Sequence, residues 1–230
     1  MPRPSRRRVA LAAACLALSA WLAVVAPARG QERGPEGRAC TLVLEPATDS
    51  TRSVRIQVEP NRYVTHVGNG LFATCGDARM NADSAVSYGG EQRVRMIGSV
   101  DYRDSVRTLT SDTLTYFQAE DRVLAVGDVV LVRRASGSRL TGPRVEFLRV
   151  RSPEQRRTVA TGRSRLLVYP DSASRDSAAR DTADPVQLDA DRIEMLGERE
   201  VRTWGDVRIR RPRVDARADS AFFQVDAGTG

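Results

Sequence analysis

The sequence predicts an all-β protein in which antiparallel strands form a repeated unit. Two kinds of segment support this prediction, and they alternate along the chain. The first is a short apolar segment with a polar residue at its centre. The second is a longer alternating segment with a glycine at its centre. The first kind recurs at intervals of roughly 28 to 31 residues, except for one longer interval, and such regularity is typical of stacked repeats.

The first kind of segment, which we name the hinge strand, occurs five times. Its apolar or small residues stand three and one positions before the central residue and two and four positions after it. This is the period of two of a strand, with a phase slip of one residue at the centre. Because the slip would otherwise turn the second half toward water, it predicts a bulge or corner there. The five copies are 80–88, 109–117, 140–147, 188–195 and 216–223, with centres at Asp83, Asp112, Pro143, Asp191 and Asp219.

The second kind of segment, which we name the glycine strand, fills the intervals between hinge strands. Its residues alternate between apolar and charged or polar types, as in half-buried antiparallel strands. A glycine on the apolar side of each copy leaves room for a bend or for a bulky partner. The four copies are 94–103, 123–134, 159–168 and 201–211, with central glycines at Gly98, Gly127, Gly162 and Gly205.

Residues 29–62 form a predicted N-terminal extension ahead of the repeat domain. Its apolar segments at 41–44 and 54–58 predict possible edge strands. The segment 63–75 predicts an opening hairpin with Gly68-Asn69-Gly70 as its turn.

The repeat domain itself is predicted over residues 63–230. It is interrupted at 170–185 by a polar stretch of low complexity. Such a composition buries too little apolar surface to become ordered, so we predict a flexible insertion.

The first 28 residues predict a secretory signal peptide. Four arginines within the first eight residues precede an apolar stretch, and Ala26-Pro27-Ala28 offers a cleavage site near Ala28. The alternative is an uncleaved membrane anchor, since residues 9–28 are about long enough to span a bilayer. Both interpretations predict a periplasmic protein. Cleavage would lower the formal net charge from +7 to +3, because 32 basic residues would then face 29 acidic ones.

The basic residues are all arginine, and they alternate with acidic residues along the polar strand faces. A nucleic-acid reader usually clusters its basic residues on one face or helix, so we predict no nucleic-acid partner. Arginine also suits phosphate and carboxylate groups on an acidic ligand.

No arrangement of residues typical of an enzyme is found in the sequence. His66 is the only histidine, and no nucleophile elbow, phosphate-binding glycine loop or metal motif occurs. The aspartates at the hinge centres are spaced singly, so we expect them to hydrogen-bond the local backbone of a bulge rather than to act in acid–base catalysis. We predict no enzymatic activity, no cofactor and no metal site.

Two cysteines, Cys40 and Cys75, follow the signal segment. In an oxidising compartment such a pair usually forms a disulfide, and the alternative is two reduced, buried thiols. The disulfide would close a loop of about 35 residues and stabilise the fold by roughly 3–4 kcal/mol.

The apolar sides of the two strand types together predict a continuous apolar lining. The lining forms either a closed core or a slot between two sheets that is wide enough for acyl chains. Its residues are Val100, Tyr102, Leu114, Tyr116, Val129, Leu131, Val145, Phe147, Ile193, Met195, Val207 and Ile209.

The alternation of strand types resembles the OstA-like repeat of the lipopolysaccharide-transport family. The segments LDADRIEM…VRTWGDVRIRRPRVDARADSAFF and LTSDTLTYF…VLAVGDVVLV…SRLTGPRVEF carry the resemblance, because that family alternates "ADxVxY" and "xGxVxV" strands. It extends from about residue 63 to the C-terminus. Pro143 in place of a hinge acid, the insertion and the absence of lysine depart from the family pattern. The resemblance implies an antiparallel β-jellyroll that is folded like a taco.

The resemblance also implies a function. It implies a non-enzymatic periplasmic protein that carries lipopolysaccharide, or a similar acidic glycolipid, toward the outer membrane through an apolar groove. It further implies end-to-end stacking of β-edges with other OstA-like domains, which are copies of itself or LptC-like or LptD-like domains. The lining would contact acyl chains, and rim arginines would meet the head group: Arg95, Arg103, Arg133, Arg208 and Arg210.

Two alternatives from other classes remain at this point. The first is a parallel β-helix, either a surface adhesin or a polysaccharide-active protein, whose coils also repeat regularly. The alternation of two strand types favours antiparallel pairs over such a coil. The second alternative is a periplasmic scaffold that binds no ligand.

Overall fold

The computed structural model describes residues 40, 42–150, 152–169, 184–197 and 199–224. The predicted signal peptide or anchor at 1–28 lies outside the described residues, as does most of the predicted insertion at 170–185.

The described residues form fourteen β-strands and two short 3-10 turns, Gly89–Glu91 and Pro153–Gln155. The strands are β1 Val43–Pro46, β2 Arg52–Glu59, β3 Arg62–Gly68, β4 Leu71–Cys75, β5 Ala78–Ala82, β6 Ser84–Tyr88, β7 Arg93–Arg103, β8 Arg107–Phe117, β9 Arg122–Arg133, β10 Arg139–Leu148, β11 Arg157–Val168, β12 Val186–Leu196, β13 Glu200–Arg211 and β14 Val214–Gln224.

All fourteen strands belong to one antiparallel sheet. Its main order is β1-β4-β5-β7-β8-β9-β10-β11-β12-β13-β14, and a side branch of β2, β3 and β6 joins it at β7. The predicted fold class, an all-β antiparallel β-jellyroll, is therefore confirmed. The parallel β-helix alternative is wrong, because every described strand pair is antiparallel.

The sheet is folded over along one line, so that its two halves face each other. Each long strand from β7 to β14 crosses this fold line, and its pairing register shifts there. The fold line consists of the hinge-strand centres, the central glycines and Asn69-Gly70. We name the half that contains β1, β4 and β5 the first half-sheet, and the half that contains β2, β3 and β6 the second half-sheet.

The predicted hairpin at 63–75 is wrong, because β3 and β4 do not pair with each other. β3 pairs with β2 and β6, whereas β4 pairs with β1 and β5. Asn69 and Gly70 have positive φ values of 65° and 86°, and they turn the chain from one half-sheet to the other. The expected edge strands are present as β1 and β2, and both pair within the same sheet.

The predicted phase slip corresponds to a bulge at the fold line. Ile97 pairs with Thr113 and Val100 with Ser111, so two residues of β7 stand opposite the single residue Asp112. The extra residue compensates for the slip, and the apolar side chains of both strands therefore point inward on both sides of the corner.

The burial of β8 shows the slip directly. Leu109 and Ser111 are buried before Asp112, and Leu114 and Tyr116 are buried after it. A similar pattern in the hinge strands at 80–88, 140–147 and 188–195 builds a core between the two half-sheets, in which the rings of Tyr102 and Phe147 meet edge to face at 5.5 Å. The hinge strand at 216–223 differs, because in β14 only Ala221 and Phe223 are partly buried.

The central glycine of each glycine strand lies directly against a hinge-strand centre. Gly127 has a φ of 82°, and a Cβ atom there would come within 3.0 Å of the Asp112 side chain. Gly98 meets Asp83 and Gly205 meets Asp191 in the same way. The glycines thus make the bend and also admit the neighbouring hinge residue.

The expectation that the hinge aspartates hydrogen-bond the local backbone is wrong for the described residues. The carboxylates of Asp83 and Asp112 are exposed at the outer corner and lie over the glycine of the next strand. Each carboxylate fits there only because the facing residue, Gly98 or Gly127, has no side chain.

We predict that Gly127→Ala lowers the free energy of unfolding by about 2–4 kcal/mol, because it combines a left-handed backbone with a clash against Asp112. Gly68→Ala is the matched control, since a Cβ there meets nothing within 4 Å, and we expect a change of less than about 0.5 kcal/mol. Urea unfolding monitored by circular dichroism measures both values. Equal effects of the two substitutions would contradict the proposed role of the fold line.

Candidate functional site at the mouth of the folded sheet

The predicted apolar lining lies between the two half-sheets. Eleven of its twelve residues are at most 2% exposed, and Ile209 is partly buried against the same cluster. The structure therefore places these side chains together as a packed core. Leu131 and Met195 differ from the others, because they also border a cavity.

The two half-sheets approach each other again on the side opposite the fold line, which we name the mouth. The first half-sheet contributes the turns at 76–77, 104–106 and 134–138. The second half-sheet contributes the connections at 118–121 and 149–156 and the turn that includes Gly197 and Arg199. Within the described ranges no strand crosses the mouth, and side chains join the half-sheets there.

Arg149 is the main tie across the mouth near the N-terminal end of the sheet. It follows β10 in the second half-sheet and donates hydrogen bonds to the Cys75 carbonyl oxygen at 3.0 Å and to Asp77 Oδ1 at 3.1 Å. It also donates to Asp121 Oδ1 at 3.1 Å. Burial alone would lower the pKa of Arg149, but the surrounding tyrosines and carboxylates, Tyr102 and Asp121 foremost, raise it.

The structure joins Cys40 to Cys75 by a disulfide, the pair that the sequence predicted. The bond attaches the segment before β1 to the mouth end of β4. Tyr116 Oη lies 3.1 Å from Cys75 Sγ and donates a hydrogen bond to Asp121 Oδ1 at 2.8 Å. Burial, together with this bond, raises the pKa of Tyr116.

A second buried cluster of polar groups lies beside the groups around Arg149, and the sequence did not predict it. Tyr102 donates to Asp104 Oδ2 at 2.6 Å, and Asp104 Oδ1 also accepts the backbone N–H groups of Val106 and Arg107. The Arg107 side chain is only 5% exposed and lies over the Phe147 ring at 4.3 Å. Burial lowers the pKa of Arg107, and Asp104 partly offsets the effect.

A cavity of about 280 Å³ opens at the mouth next to Arg107. Its inner part is apolar and its outer part carries arginines and hydroxyl groups. The described lining includes no aspartate or glutamate. The lining residues are Val106, Arg107, Leu131, Arg133, Ala135, Ser136, Ser138, Arg156, Thr158, Leu166, Val168, Tyr169, Met195, Gly197, Arg199 and Val201.

The five arginines predicted as a head-group rim are not brought together. Only Arg133 lines the cavity, where it donates a hydrogen bond to the Gly197 carbonyl oxygen at 2.8 Å and so ties the two half-sheets. The other four lie on the outer faces of the sheet. Arg208 pairs with Asp215 at 2.6 Å, Arg210 lies 3.8 Å from Asp189, and Arg95 and Arg103 are exposed.

The outer face also contains a carboxylate that is mostly covered by its neighbours. Asp189 on β12 accepts hydrogen bonds from Arg165 at 2.8 Å and from Gln187 at 2.6 Å. Burial would raise the pKa of Asp189, but these hydrogen bonds and the charges of Arg165 and Arg210 outweigh it and lower the pKa.

His66 lies exposed on β3. Within the described part of the chain, no group of three or more histidine, cysteine, aspartate or glutamate residues is arranged to hold a metal ion. The same residues include no helix with the length and apolar character needed to cross a membrane.

Comparison with known proteins gives similarity to solved structures but not to sequence families. No protein-family model matches the sequence, and no curated protein matches it. Among solved structures, the chain is similar to LptH from Pseudomonas aeruginosa, described as the LptA-homologous periplasmic component of the conserved lipopolysaccharide transport device. The identity is 14%, the match covers 51% of this chain and 82% of LptH, and the TM-score is 0.41. A similarity at this level carries no argument about function.

We predict that Arg149→Gln lowers the free energy of unfolding by about 3 kcal/mol, because it leaves the partly buried acceptors at Cys75 and Asp121 without their charged donor. The Arg149 side chain is 9% exposed, whereas that of Arg144 is 49% exposed and pairs with Glu146 at 3.9 Å. Arg144→Gln is therefore the control, with an expected change of less than about 0.5 kcal/mol. Urea unfolding of the oxidised protein compares the two variants, and indistinguishable values would rule out a tie at Arg149.

We predict that acidification destabilises the protein partly through Asp189. Because the folded-state pKa of Asp189 lies below its usual value of 3.8, the carboxylate stabilises the fold above that value and loses this effect as pH falls through the folded pKa. Asp189→Asn should cost about 1–2 kcal/mol at pH 7 and flatten the loss of stability below about pH 4. The exposed loop variant Asp49→Asn serves as the control. Unfolding free energies measured from pH 7 to pH 2 test this, and parallel curves for wild type and Asp189→Asn would contradict it.

Proposed function

We propose that this protein is a non-enzymatic periplasmic carrier of lipopolysaccharide or a similar acidic glycolipid. It holds acyl chains between its two half-sheets. The observation that carries this proposal is an apolar interior that runs the length of the folded sheet and reaches a cavity at the mouth through Leu131 and Met195.

The way in which the two half-sheets are joined supports entry of a chain from the mouth. Continuous strands and backbone hydrogen bonds hold the fold line together, whereas side chains such as Arg133 and Arg149 close the mouth. Opening the mouth therefore breaks side-chain contacts and leaves the sheet hydrogen bonds intact. An acyl chain that enters replaces apolar contacts with similar ones, so the hydrophobic free energy of the interior is largely retained.

The edges of the sheet support stacking with similar domains. Among the described strands β14 pairs with β13 alone, and its side chains are almost all exposed, including Val214 and Phe222. β1 and β2 form the opposite edges of the first and second half-sheets. An unpaired edge strand offers backbone groups to another chain. We propose copies of this protein, or LptC-like or LptD-like domains, as the partners.

The ionisable clusters at the mouth favour a structural role over catalysis. Arg149 and Arg107 are each paired with carboxylates that accept further hydrogen bonds, and these ties join different parts of the fold. A general acid or base would require a titratable group whose pKa lies near the working pH. The shifted tyrosine pKa values here lie farther above neutrality than usual.

A ligand-free periplasmic scaffold is the second candidate. The dense packing of the lining favours it, since eleven of the predicted contact residues are at most 2% exposed. The two candidates differ in whether lipid enters the interior, and this difference can be measured.

Photocrosslinking of this protein in cells that make lipopolysaccharide tests the proposal. A photoreactive phenylalanine analogue at Leu131, which lines the cavity, should capture lipopolysaccharide. The same analogue at Leu124 is the matched control, because Leu124 lies on the same strand between the buried residues Val123 and Ala125 and points outward. Lipid labelling at neither position, or equally at both, would overturn the carrier function and favour the scaffold.

A further inference from the structure

Four arginine side chains from two strand ends and two connections line the cavity at the mouth. Arg107 and Arg133 come from the first half-sheet, and Arg156 and Arg199 come from the second. Hydroxyl groups of Ser136, Ser138 and Thr158 lie among them. The carboxylate of Asp104, which lies beside Arg107, does not line the cavity and already accepts several hydrogen bonds.

The inner wall of the cavity belongs to the protein core. Leu131, Leu166, Met195 and Val201 line the cavity and also pack in the apolar cluster between the half-sheets. The cavity therefore places a cationic outer part directly above an apolar inner part. This combination matches a ligand that has an anionic head and an apolar tail.

Charged groups surround the buried Arg107 side chain at the edge of the cavity. Burial lowers the pKa of Arg107, and the positive charges of Arg156 and Arg149 lower it further, against the opposing effect of Asp104. The buried Nε atom of Arg107 lies 3.5 Å from Asp104 Oδ2 and makes no hydrogen bond. An anion in the cavity would supply an acceptor for this N–H group.

We propose that this cavity binds the phosphate group of an anionic amphiphile, whose apolar chain continues into the interior past Leu131 and Met195. This inference rests on the proposed carrier function, because it requires an interior that accepts acyl chains. It assigns the head group to Arg107, Arg156 and Arg199 together with Arg133, rather than to the arginines on the outer faces. The volume of about 280 Å³ lies just below the usual range for ligand pockets, about 300–1,000 Å³, so the cavity accommodates the head-group phosphate and the first part of one chain.

Calorimetric titration with three probes tests this proposal on the oxidised full-length mature protein. The probes are dioctanoyl phosphatidic acid, dioctanoylglycerol, which has the same chains without phosphate, and inorganic phosphate. We expect phosphatidic acid to bind at least about tenfold more tightly than either of the other two, because it alone supplies both parts of the ligand.

Substitutions then locate the phosphate. Arg199→Gln and Arg156→Gln should each weaken phosphatidic acid binding about tenfold and leave dioctanoylglycerol binding unchanged. Arg139→Gln is the matched control, because Arg139 is exposed on β10 and adjacent to Ser138 but does not line the cavity. It should bind phosphatidic acid as the wild type does. Thermal unfolding checks that all three variants are folded.

The outcomes separate this inference from the carrier function. Equal binding of phosphatidic acid and dioctanoylglycerol, or no effect of either cavity substitution, would overturn the phosphate site, while lipopolysaccharide capture at Leu131 would still support the carrier. Inorganic phosphate that binds as tightly as phosphatidic acid would show a site for free phosphate and would also overturn the inference. If no amphiphile binds and nothing is captured at Leu131, both proposals fail.

Discussion

The bulge at the fold line is the constraint on which the rest of this structure depends. Two residues of each glycine strand, as at Gly98 and Ser99 in β7, stand opposite one hinge residue, Asp112 in that case. This arrangement bends the sheet and at the same time keeps the apolar side chains of neighbouring strands on the same face. Without the extra residue, one half of each strand pair would turn its apolar side chains toward water.

As a consequence, the two half-sheets are joined differently at the fold line and at the mouth. At the fold line, each long strand continues from one half-sheet into the other, and neighbouring strands remain joined by backbone hydrogen bonds. At the mouth, the half-sheets meet through side chains, chiefly the Arg149 cluster beside the disulfide and the contact of Arg133 with Gly197. The arginines that hold the mouth and surround its cavity lie where an amphiphile would enter the interior under the proposed function. That proposal would have the same charged groups both close the mouth and bind the ligand.

Much of the fold follows from the sequence because strand periodicity is a local property. The slip between Ser111 and Leu114 indicated both the corner and the buried face, and the burial of β8 agrees with it. The prediction of a hairpin at 63–75 was wrong, because strand pairing is not a local property. A Gly-Asn-Gly sequence signals a change of chain direction, but the pairing partners decide whether that change closes a hairpin or bends a strand into the other half-sheet.

The sequence by itself determined the strand types, the inward-facing residues and the cysteine pair, because alternation and spacing are written along the chain. Only the tertiary structure decided which charged residues meet. Arg107, Arg149, Arg156 and Arg199 lie at strand ends or in connections without any periodic pattern, and they become neighbours because the sheet folds over and brings distant turns together at the mouth. The arginines that periodicity does identify, such as Arg95 and Arg208, alternate with buried residues and therefore face outward.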